Sequence, residues 1–294
     1  MTRKAFVLIT LTAIGTACTT IVDFDIPLDK PWVVVNSLFS PDSVWQVHVS
    51  YSRNILDSRF GSFDPVRDAE VNILDQNDHV IETLSGSPDR FFQYTYKGKT
   101  KPTSGEFYSV QVKVKDKLLK AASLSPIAVP ITSLDVDSSA FKSQGEAVEM
   151  SITFKDPGET KNFYEVKVLR DGFYVYNQDT IRYVENLFVE PVDPAMNNDN
   201  SNGASKLLKD NLFNGKNYVF RIKLRSYRIY PENPPRVRVV LQSVTEEYFR
   251  YFVAQSLQNN TSGDPFAQPV QIFTNIENGL GIFAGYSSSV VELK

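Results

Sequence analysis

Apolar and polar residues alternate along most of this chain. In residues 45–51 (WQVHVSY) every second side chain is apolar, which is the period of a β-strand with one buried and one solvated face. Turn residues separate such runs, for example at residues 75–78 and 97–99. The pattern predicts strands at residues 32–38, 44–52, 69–75, 80–84, 91–96 and 107–115, and again at 147–154, 163–170, 173–176, 218–227 and 236–241.

The predicted strands fall into two groups, so we expect a mainly β fold with two domains. Six or seven short strands in the first group are typical of an immunoglobulin-like β-sandwich, which we place at residues 31–128. Pro126 and Pro130 exclude a helix or a central strand and suit a connector. Residues 129–294 are expected to form a second β-rich domain.

One α-helix is predicted to pack on this second domain. Ser243 and Glu246 have the spacing of a capping box, and helix-forming residues follow at 247–257. Four apolar side chains fall on one face of that helix, at the spacing expected for packing against a sheet. They are Phe249, Phe252, Val253 and Leu257.

The first residues have the layout of an export signal. Arg3 and Lys4 precede an uncharged, mostly apolar run at residues 5–14, and small residues follow at 15–17. The run is about half of the roughly 20 residues that a membrane-spanning helix needs. We therefore predict a lipoprotein signal peptide at residues 1–17.

Cys18 is the only cysteine, and it stands where a lipoprotein signal is cleaved and acylated. We predict lipidation of Cys18 and a tether at residues 18–30; the alternative is an ordinary signal peptide cut near Ala17, with a spare buried thiol. Two or three acyl chains, at about 0.8 kcal/mol per buried methylene, would hold the protein on a membrane.

The charge of the mature chain argues against nucleic acid as a partner. Without Arg3 and Lys4, 29 basic residues stand against 34 acidic ones, a net charge of −5. A mildly acidic surface does not provide the basic footprint that nucleic-acid binding requires.

No motif of an enzyme, metal site or cofactor site is found in the sequence. His48 and His79 are the only histidines; His48 lies on the polar side of its predicted strand and His79 follows a turn. Neither has a second ligand at metal-site spacing, and a G-x-S-x-G motif is absent. We therefore expect a non-enzymatic protein with no catalytic residue, metal or cofactor.

Two sets of residues are candidate binding surfaces. Phe60 and Phe63 lie in a long, turn-rich segment at residues 53–68, which suggests a binding loop. Basic residues alternate with apolar ones on two predicted strands and would form one basic sheet face, either a solvated face or a contact for an anionic glycan, a lipid headgroup or a protein. They are Arg221, Lys223, Arg225, Arg236 and Arg238.

The C-terminal part of the chain contains two distinctive phrases, at residues 264–270 (DPFAQPV) and 275–286 (NIENGLGIFAGY). Together with residues 22–27, 156–157, 162–164, 212–216 and 248–251, they resemble a family of Bacteroidota lipoproteins known as domain of unknown function 4249. The resemblance implies an outer-membrane lipoprotein that is often encoded near TonB-dependent receptors. It transfers no catalytic or binding residue.

These observations favour an accessory or ligand-binding lipoprotein anchored to the outer membrane, which works with a TonB-dependent receptor in uptake. A structural or adhesive surface lipoprotein and a carbohydrate-active hydrolase are the alternatives. The sequence leaves the ligand unidentified. It also leaves open whether the protein faces the cell surface or the periplasm.

Overall fold

In the computed structural model, Pro31–Lys294 form one compact unit. The structure describes residues 30–53, 63–88, 94–136, 147–177, 179–193, 203–225, 236–261, 268 and 270–293.

Eight strands form in the first part of the chain. They are β1 (Val33–Phe39), β2 (Gln46–Tyr51), β3 (Glu70–Leu74), β4 (Val80–Thr83), β5 (Ser85–Pro88), β6 (Tyr94–Lys97), β7 (Phe107–Val114) and β8 (Lys117–Leu124). Six of these correspond to predicted strands. β5 was not predicted because all four of its residues are exposed. β8 was not predicted because apolar residues, Leu118 and Ala122, also lie on its exposed face.

In the rest of the described chain, nine further strands, one short 3-10 helix (Asp210–Leu212) and one α-helix follow. They are β9 (Ile131–Val136), β10 (Ala147–Lys155), β11 (Phe163–Tyr176), β12 (Asp179–Asn186), β13 (Val189–Pro191), β14 (Lys206–Lys209), β15 (Asn217–Arg225), β16 (Val237–Val244), α1 (Glu246–Thr261) and β17 (Leu280–Glu292). The expectation of a mainly β fold with one packed helix is confirmed.

The strands form three sheets. A nine-stranded sheet has the order β12-β11-β16-β17-β1-β2-β6-β5, with β14 also paired to β11. Two four-stranded sheets have the orders β4-β3-β7-β8 and β13-β15-β10-β9. Each small sheet shares a buried core with a different part of the large sheet.

The first core lies between β4-β3-β7-β8 and the β1-β2-β6 side of the large sheet. Trp45 is fully buried at its centre, with the ring centroids of Phe39 and Tyr108 each 5.0 Å away. Phe283 of β17 belongs to this core as well, 4.6 Å from Phe39. A residue from the end of the chain therefore completes the core of its beginning.

The second core lies between β13-β15-β10-β9 and the β11-β16 side of the large sheet. Met150 and Ile222 come from the small sheet, while Tyr164 and Leu241 come from the large one, and all four are fully buried. Strand β17 connects the two regions, since its residues 280–285 pair with β1 in parallel and its residues 286–292 pair with β16 antiparallel. The predicted boundary at residues 128 and 129 lies between β8 and β9, but β17 contributes to both sides of it.

Helix α1 covers the outer face of the large sheet beside the second core. Tyr248 and Phe249 are buried there, and Phe249 packs on Phe163 of β11 with 5.0 Å between ring centroids. The predicted capping box is wrong in one respect: Thr245 is the residue that caps the helix, accepting a hydrogen bond from the Tyr248 N–H at 3.5 Å. Ser243 cannot do so because it is still paired within β16.

Candidate functional site

The predicted binding loop is described only in part. Cys18 and Phe60 lie outside the described residues. Phe63 is 60% exposed, and the guanidinium carbon of Arg53 lies 5.5 Å from the centroid of its ring. This is the geometry of an exposed cation–π contact.

The five predicted basic residues do not share one sheet face. Arg221, Lys223 and Arg225 belong to β15 of a small sheet. Arg238 lies on β16 of the large sheet, and Arg236 directly precedes that strand. The alternation was identified correctly, but strand order places the two rows on different sheets.

Acidic neighbours also reduce the charge of these rows. Lys223 lies directly between Glu149 of β10 and Glu190 of β13. Arg236 approaches Glu292 to 3.4 Å, and Arg238 donates a hydrogen bond to Asp171. Neither row therefore forms the concentrated positive surface that an anionic ligand would need.

An exposed apolar surface lies on the outer part of the β11-β12 hairpin, which we call the hairpin wing and define as residues 171–176 and 179–184. Its two strands pair in register from Asp171 opposite Val184 to Tyr176 opposite Asp179. Seven large apolar side chains on it are between 38% and 64% exposed. They are Phe173, Tyr174, Val175, Tyr176, Ile181, Tyr183 and Val184.

Both faces of the wing carry apolar side chains. Tyr174 lies opposite Ile181 on one face, and the rings of Tyr174 and Tyr183 are 6.1 Å apart. Gly172 makes room for this arrangement, because a Cβ there would lie 2.4 Å from the Tyr183 ring. Phe173 occupies the other face, opposite Arg182. The wing is thus a two-sided aromatic surface that covers no core of its own.

Ion pairs hold the base of the wing. Arg170 pairs with Glu185 across the hairpin, and Arg238 of β16 pairs with Asp171. The Asp171 N–H also donates to the Arg236 carbonyl at 2.9 Å. These contacts fix the direction in which the wing leaves the sheet.

A second candidate site is a cleft between α1 and the large sheet, with a volume of about 220 Å³. Tyr164, Val166 and Val168 of β11 point into the second core. Side chains alternate along a strand, so Glu165 and Lys167 point to the opposite side, toward α1. These two residues form the charged floor of the cleft.

The cleft lies where β11 changes its neighbour. Strand β14 pairs with β11 only as far as Val166, and β12 pairs with it only from Leu169 onward. Lys167 lies between these two stretches, and the sheet edge is open beside it. The opening therefore lies where the pairing of β11 changes, and Ala204 and Ser205, which precede β14, contribute to its lining.

The Glu165 carboxylate accepts two hydrogen bonds and forms one ion pair within this cleft. Tyr248 Oη donates to Oε2 at 2.6 Å, Ser205 Oγ donates to Oε1 at 2.6 Å, and Lys167 Nζ lies 2.8 Å from Oε2. Lys167 Nζ donates a hydrogen bond to Gln242 Oε1 at 2.9 Å. Glu165 and Lys167 thus form an ion pair in which the carboxylate is almost completely buried.

Tyr248 is held in its protonated form. Burial, together with the negative charge of Glu165 and the hydrogen bond to it, raises the pKa of the Tyr248 hydroxyl far above its usual range. Tyr248 therefore acts as a permanent hydrogen-bond donor to Glu165.

The rest of the cleft lining is mixed in character. Ser256 Oγ is buried and has no hydrogen-bond partner within the described part of the chain. Phe252 and Leu207 provide apolar walls. Three amide side chains complete the lining: Asn186, Gln255 and Asn259.

Sequence reasoning missed both sites. Glu165 and Lys167 lie on a predicted strand, but Ser205 and Tyr248 come from positions 40 and 83 residues from Glu165, and no local pattern joins them. The wing left a stronger signal. Residues 173–176 are all apolar, and Asn177, with a φ of 48°, occupies a turn before the alternating residues of β12.

The sheets, cores and helix together define the class of this molecule: a β-rich protein of two sandwiches with one α-helix packed on the shared sheet. The chain belongs to the family described as Domain of unknown function (DUF4249), whose model matches residues 19–291. The family expected from the sequence is thereby confirmed.

Comparison with individual proteins adds little. No curated protein matches the chain. Among solved structures, a DUF4785 family protein from Legionella pneumophila is similar over 72% of this chain and 52% of that protein, with 9% identity and a TM-score of 0.26. The match thus spans about half the length of the Legionella protein.

Two further observations concern membranes and metals. Within the described ranges, no helix combines the length and the apolar character needed to cross a membrane. In those same ranges, no three His, Cys, Asp or Glu side chains are grouped as they would be around a metal ion.

Proposed function

We propose that this protein is an exported lipoprotein, anchored to the outer membrane through Cys18, that serves as a non-enzymatic accessory protein of a TonB-dependent receptor in uptake. The observation that carries this proposal is the hairpin wing. The anchor is supported by the lone cysteine after a signal-like segment, and the receptor by the family resemblance.

The wing has the chemistry of a protein-binding surface. Contiguous exposed apolar side chains are unusual on a protein that works alone, and tyrosine and phenylalanine are enriched where partners bind. Edge strands that remain in water are commonly protected by charged side chains or proline. Strand β12 has no proline, and although Asp179, Arg182 and Glu185 are charged, its exposed side chains also include Ile181, Tyr183 and Val184.

The position of the wing suits a tethered protein. Strand β1, which follows the tether, pairs with residues 280–285 of β17, whereas β16, beside the wing, pairs with residues 286–292. The first strand after the predicted tether and the strand beside the wing therefore pair with opposite halves of β17.

The cleft supports a role without catalysis. A general base needs a carboxylate that is free to accept a proton from substrate, and Glu165 already accepts hydrogen bonds from Tyr248 and Ser205 and is paired with Lys167. An ion pair held in this way orients and binds more readily than it transfers protons.

Affinity purification from outer membranes tests the proposed partner. The tagged protein is purified in mild detergent, and the proteins that accompany it are identified by mass spectrometry. We expect a TonB-dependent receptor in stoichiometric amount with the wild type and its loss from Phe173→Ser. Phe107→Ser is the matched control, because Phe107 is similarly exposed on β7, outside the wing.

Two results would overturn the proposal. Recovery of the wild-type protein alone would exclude a stable receptor complex and favour a structural or adhesive role. Equal loss of receptor from Phe173→Ser and Phe107→Ser would show that the wing is not the binding surface.

Membrane fractionation tests the anchor. We expect Cys18→Ala to move from the membrane fraction to the soluble fraction, because acyl chains are the proposed attachment. A Cys18→Ala variant that fractionates with membranes as the wild type does would show that lipidation is not what holds the protein there.

A further inference from the structure

We propose that the cleft between α1 and β11 is a binding site for a neutral, hydroxyl-rich ligand the size of one sugar ring. The inference rests on the cleft alone and is independent of the receptor complex proposed above.

The charge of the cleft selects a neutral ligand. Among the described residues that line it, only Glu165 and Lys167 are ionisable, and they neutralise each other at 2.8 Å. The attraction and repulsion that these two charges exert on a charged ligand largely cancel, so such a ligand would lose its hydration in a partly enclosed space without a net gain. A ligand without charge avoids this cost.

The hydrogen-bonding groups left over in the cleft suit hydroxyls. Of the three N–H donors of Lys167, two are used by Glu165 and Gln242, which leaves one. Gln255 can donate and accept through its amide, as can Asn259. A hydroxyl both donates and accepts, so it can satisfy all of these groups.

The size and walls of the cleft limit the ligand further. Its volume of about 220 Å³ is below the roughly 300–1,000 Å³ of pockets for drug-sized molecules. Phe252 and Leu207 offer apolar surface to the C–H groups of a ring. The ring of Phe252 is itself held by Tyr248, with centroids 4.5 Å apart, so this wall is fixed before a ligand binds.

Equilibrium dialysis of the full-length protein in mild detergent tests the proposal. The probes are radiolabelled glucose, galactose, mannose and N-acetylglucosamine, with glucuronate and glucosamine as anionic and cationic comparisons. We expect at least one neutral sugar to bind with a dissociation constant of about 1 mM or tighter. Both charged sugars should bind at least tenfold more weakly than that sugar.

A matched pair of variants locates the binding. Gln255 lines the cleft, whereas Gln258, three residues later on the same helix, does not. Gln255→Ala is expected to weaken binding about three- to tenfold, the loss of one neutral hydrogen bond, and Gln258→Ala to leave it unchanged. Alanine has a higher helix propensity than glutamine, so we expect both variants to keep α1 and the fold intact.

Three outcomes would overturn the inference. Absence of binding by all four neutral sugars would exclude this ligand class. Tighter binding of glucuronate or glucosamine than of every neutral sugar would show that the Glu165–Lys167 pair does not select an uncharged ligand. Equal weakening by Gln255→Ala and Gln258→Ala would place the sugar outside the cleft.

Discussion

Gly281 lies where β17 comes closest to β1. Its φ of +112° is in the region that only glycine adopts without strain, and a Cβ there would lie 2.1 Å from the Val35 carbonyl oxygen. Gly285, at the other end of the contact with β1, is equally confined, since its Cβ would meet the Leu124 carbonyl oxygen at 2.0 Å. These glycines allow the last strand to enter the first core.

We predict that Gly281→Ala strongly destabilises the protein. The positive φ alone costs about 1–3 kcal/mol, and the backbone collision with Val35 adds to it. Gly105→Ala is the matched control, because Gly105 has a φ of +86° but only ordinary contacts with Ile127 at 3.7 Å. Urea unfolding should show that Gly281→Ala loses more than about 3 kcal/mol of unfolding free energy. Gly105→Ala should lose only the cost of the positive φ, about 1–3 kcal/mol.

Similar losses for the two variants would mean that β17 can move away from β1 at little cost. The close approach would then have no structural importance.

The residues that revealed the family mostly build the fold. Asn275 exchanges two hydrogen bonds with the backbone of Phe283, at 2.8 and 3.0 Å. Asp156 accepts hydrogen bonds from Tyr164 Oη at 2.5 Å and from the Gly215 N–H at 2.8 Å. The sequence phrases therefore identified the family correctly. They say little about binding, because residues such as Asn275 and Asp156 make contacts within the fold.

Tyr248→Phe tests whether α1 is fixed to the sheet through Glu165. The change removes one of the two hydrogen bonds to a buried carboxylate, and hydrogen bonds to charged groups contribute about 1.5–3 kcal/mol. We expect a loss of unfolding free energy of that size, measured by urea denaturation. The control is Tyr251→Phe, on the same helix, since the Tyr251 hydroxyl has no hydrogen bond within the described ranges. This change should lower the unfolding free energy by less than about 0.5 kcal/mol, the usual size for a substitution that removes no specific contact.

Equal effects of the two tyrosine changes would contradict a special role for the Tyr248 hydroxyl. Packing of the rings alone would then hold the helix.

At the scale of elements, Glu82 of β4 connects the two sheets of the first core. Its carboxylate accepts hydrogen bonds from the backbone N–H groups of Lys99 at 2.5 Å and Thr100 at 3.1 Å, in the segment that follows β6. Burial alone would raise the pKa of Glu82, but these hydrogen bonds and the one from the Thr100 hydroxyl outweigh it, and the pKa lies below its ordinary value of 4.5.

This lowered pKa predicts how stability depends on pH. Glu82 contributes stability above pH 4.5, where the carboxylate is charged in both states, and loses it as the pH falls through the folded-state pKa. Glu82→Gln should therefore be less stable than the wild type at pH 7, and the difference should shrink below pH 4.5. Thermal unfolding across this pH range measures it, with the exposed Glu106→Gln as control.

A difference between wild type and Glu82→Gln that stays constant down to the acid range would show that the charge of Glu82 is not involved.

Alternation predicted most of the long strands, because one face of each is buried in a core. It failed for β17, whose residues 287–289 are three serines and whose partners β1 and β16 come from both ends of the chain. It failed for β12 because that strand buries almost nothing. Pairing between strands that are far apart in the chain leaves no local trace, and the cleft beside Lys167 lies where one such pairing, of β11 with β14, ends.

At the scale of the whole molecule, the two cores share one sheet. Phe283 of β17 lies in the first core, while residues 286–292 of the same strand pair with β16 at the second. Contacts also cross the predicted boundary elsewhere: Ser123 Oγ donates to Thr245 Oγ1 at 3.4 Å, and Ser287 Oγ donates to the Pro126 carbonyl at 2.5 Å. Separation of the halves would break all of these.

We therefore predict that both cores unfold in a single transition. Ile73→Val in the first core and Ile222→Val in the second are a matched pair, because both side chains are completely buried and lose one methylene, at a cost of about 0.5–1.5 kcal/mol. Differential scanning calorimetry should show one peak for each variant, with equal calorimetric and van't Hoff enthalpies, and both changes should lower the same Tm. Two resolved peaks, each moved by only one variant, would instead mean that β17 joins two domains that fold independently.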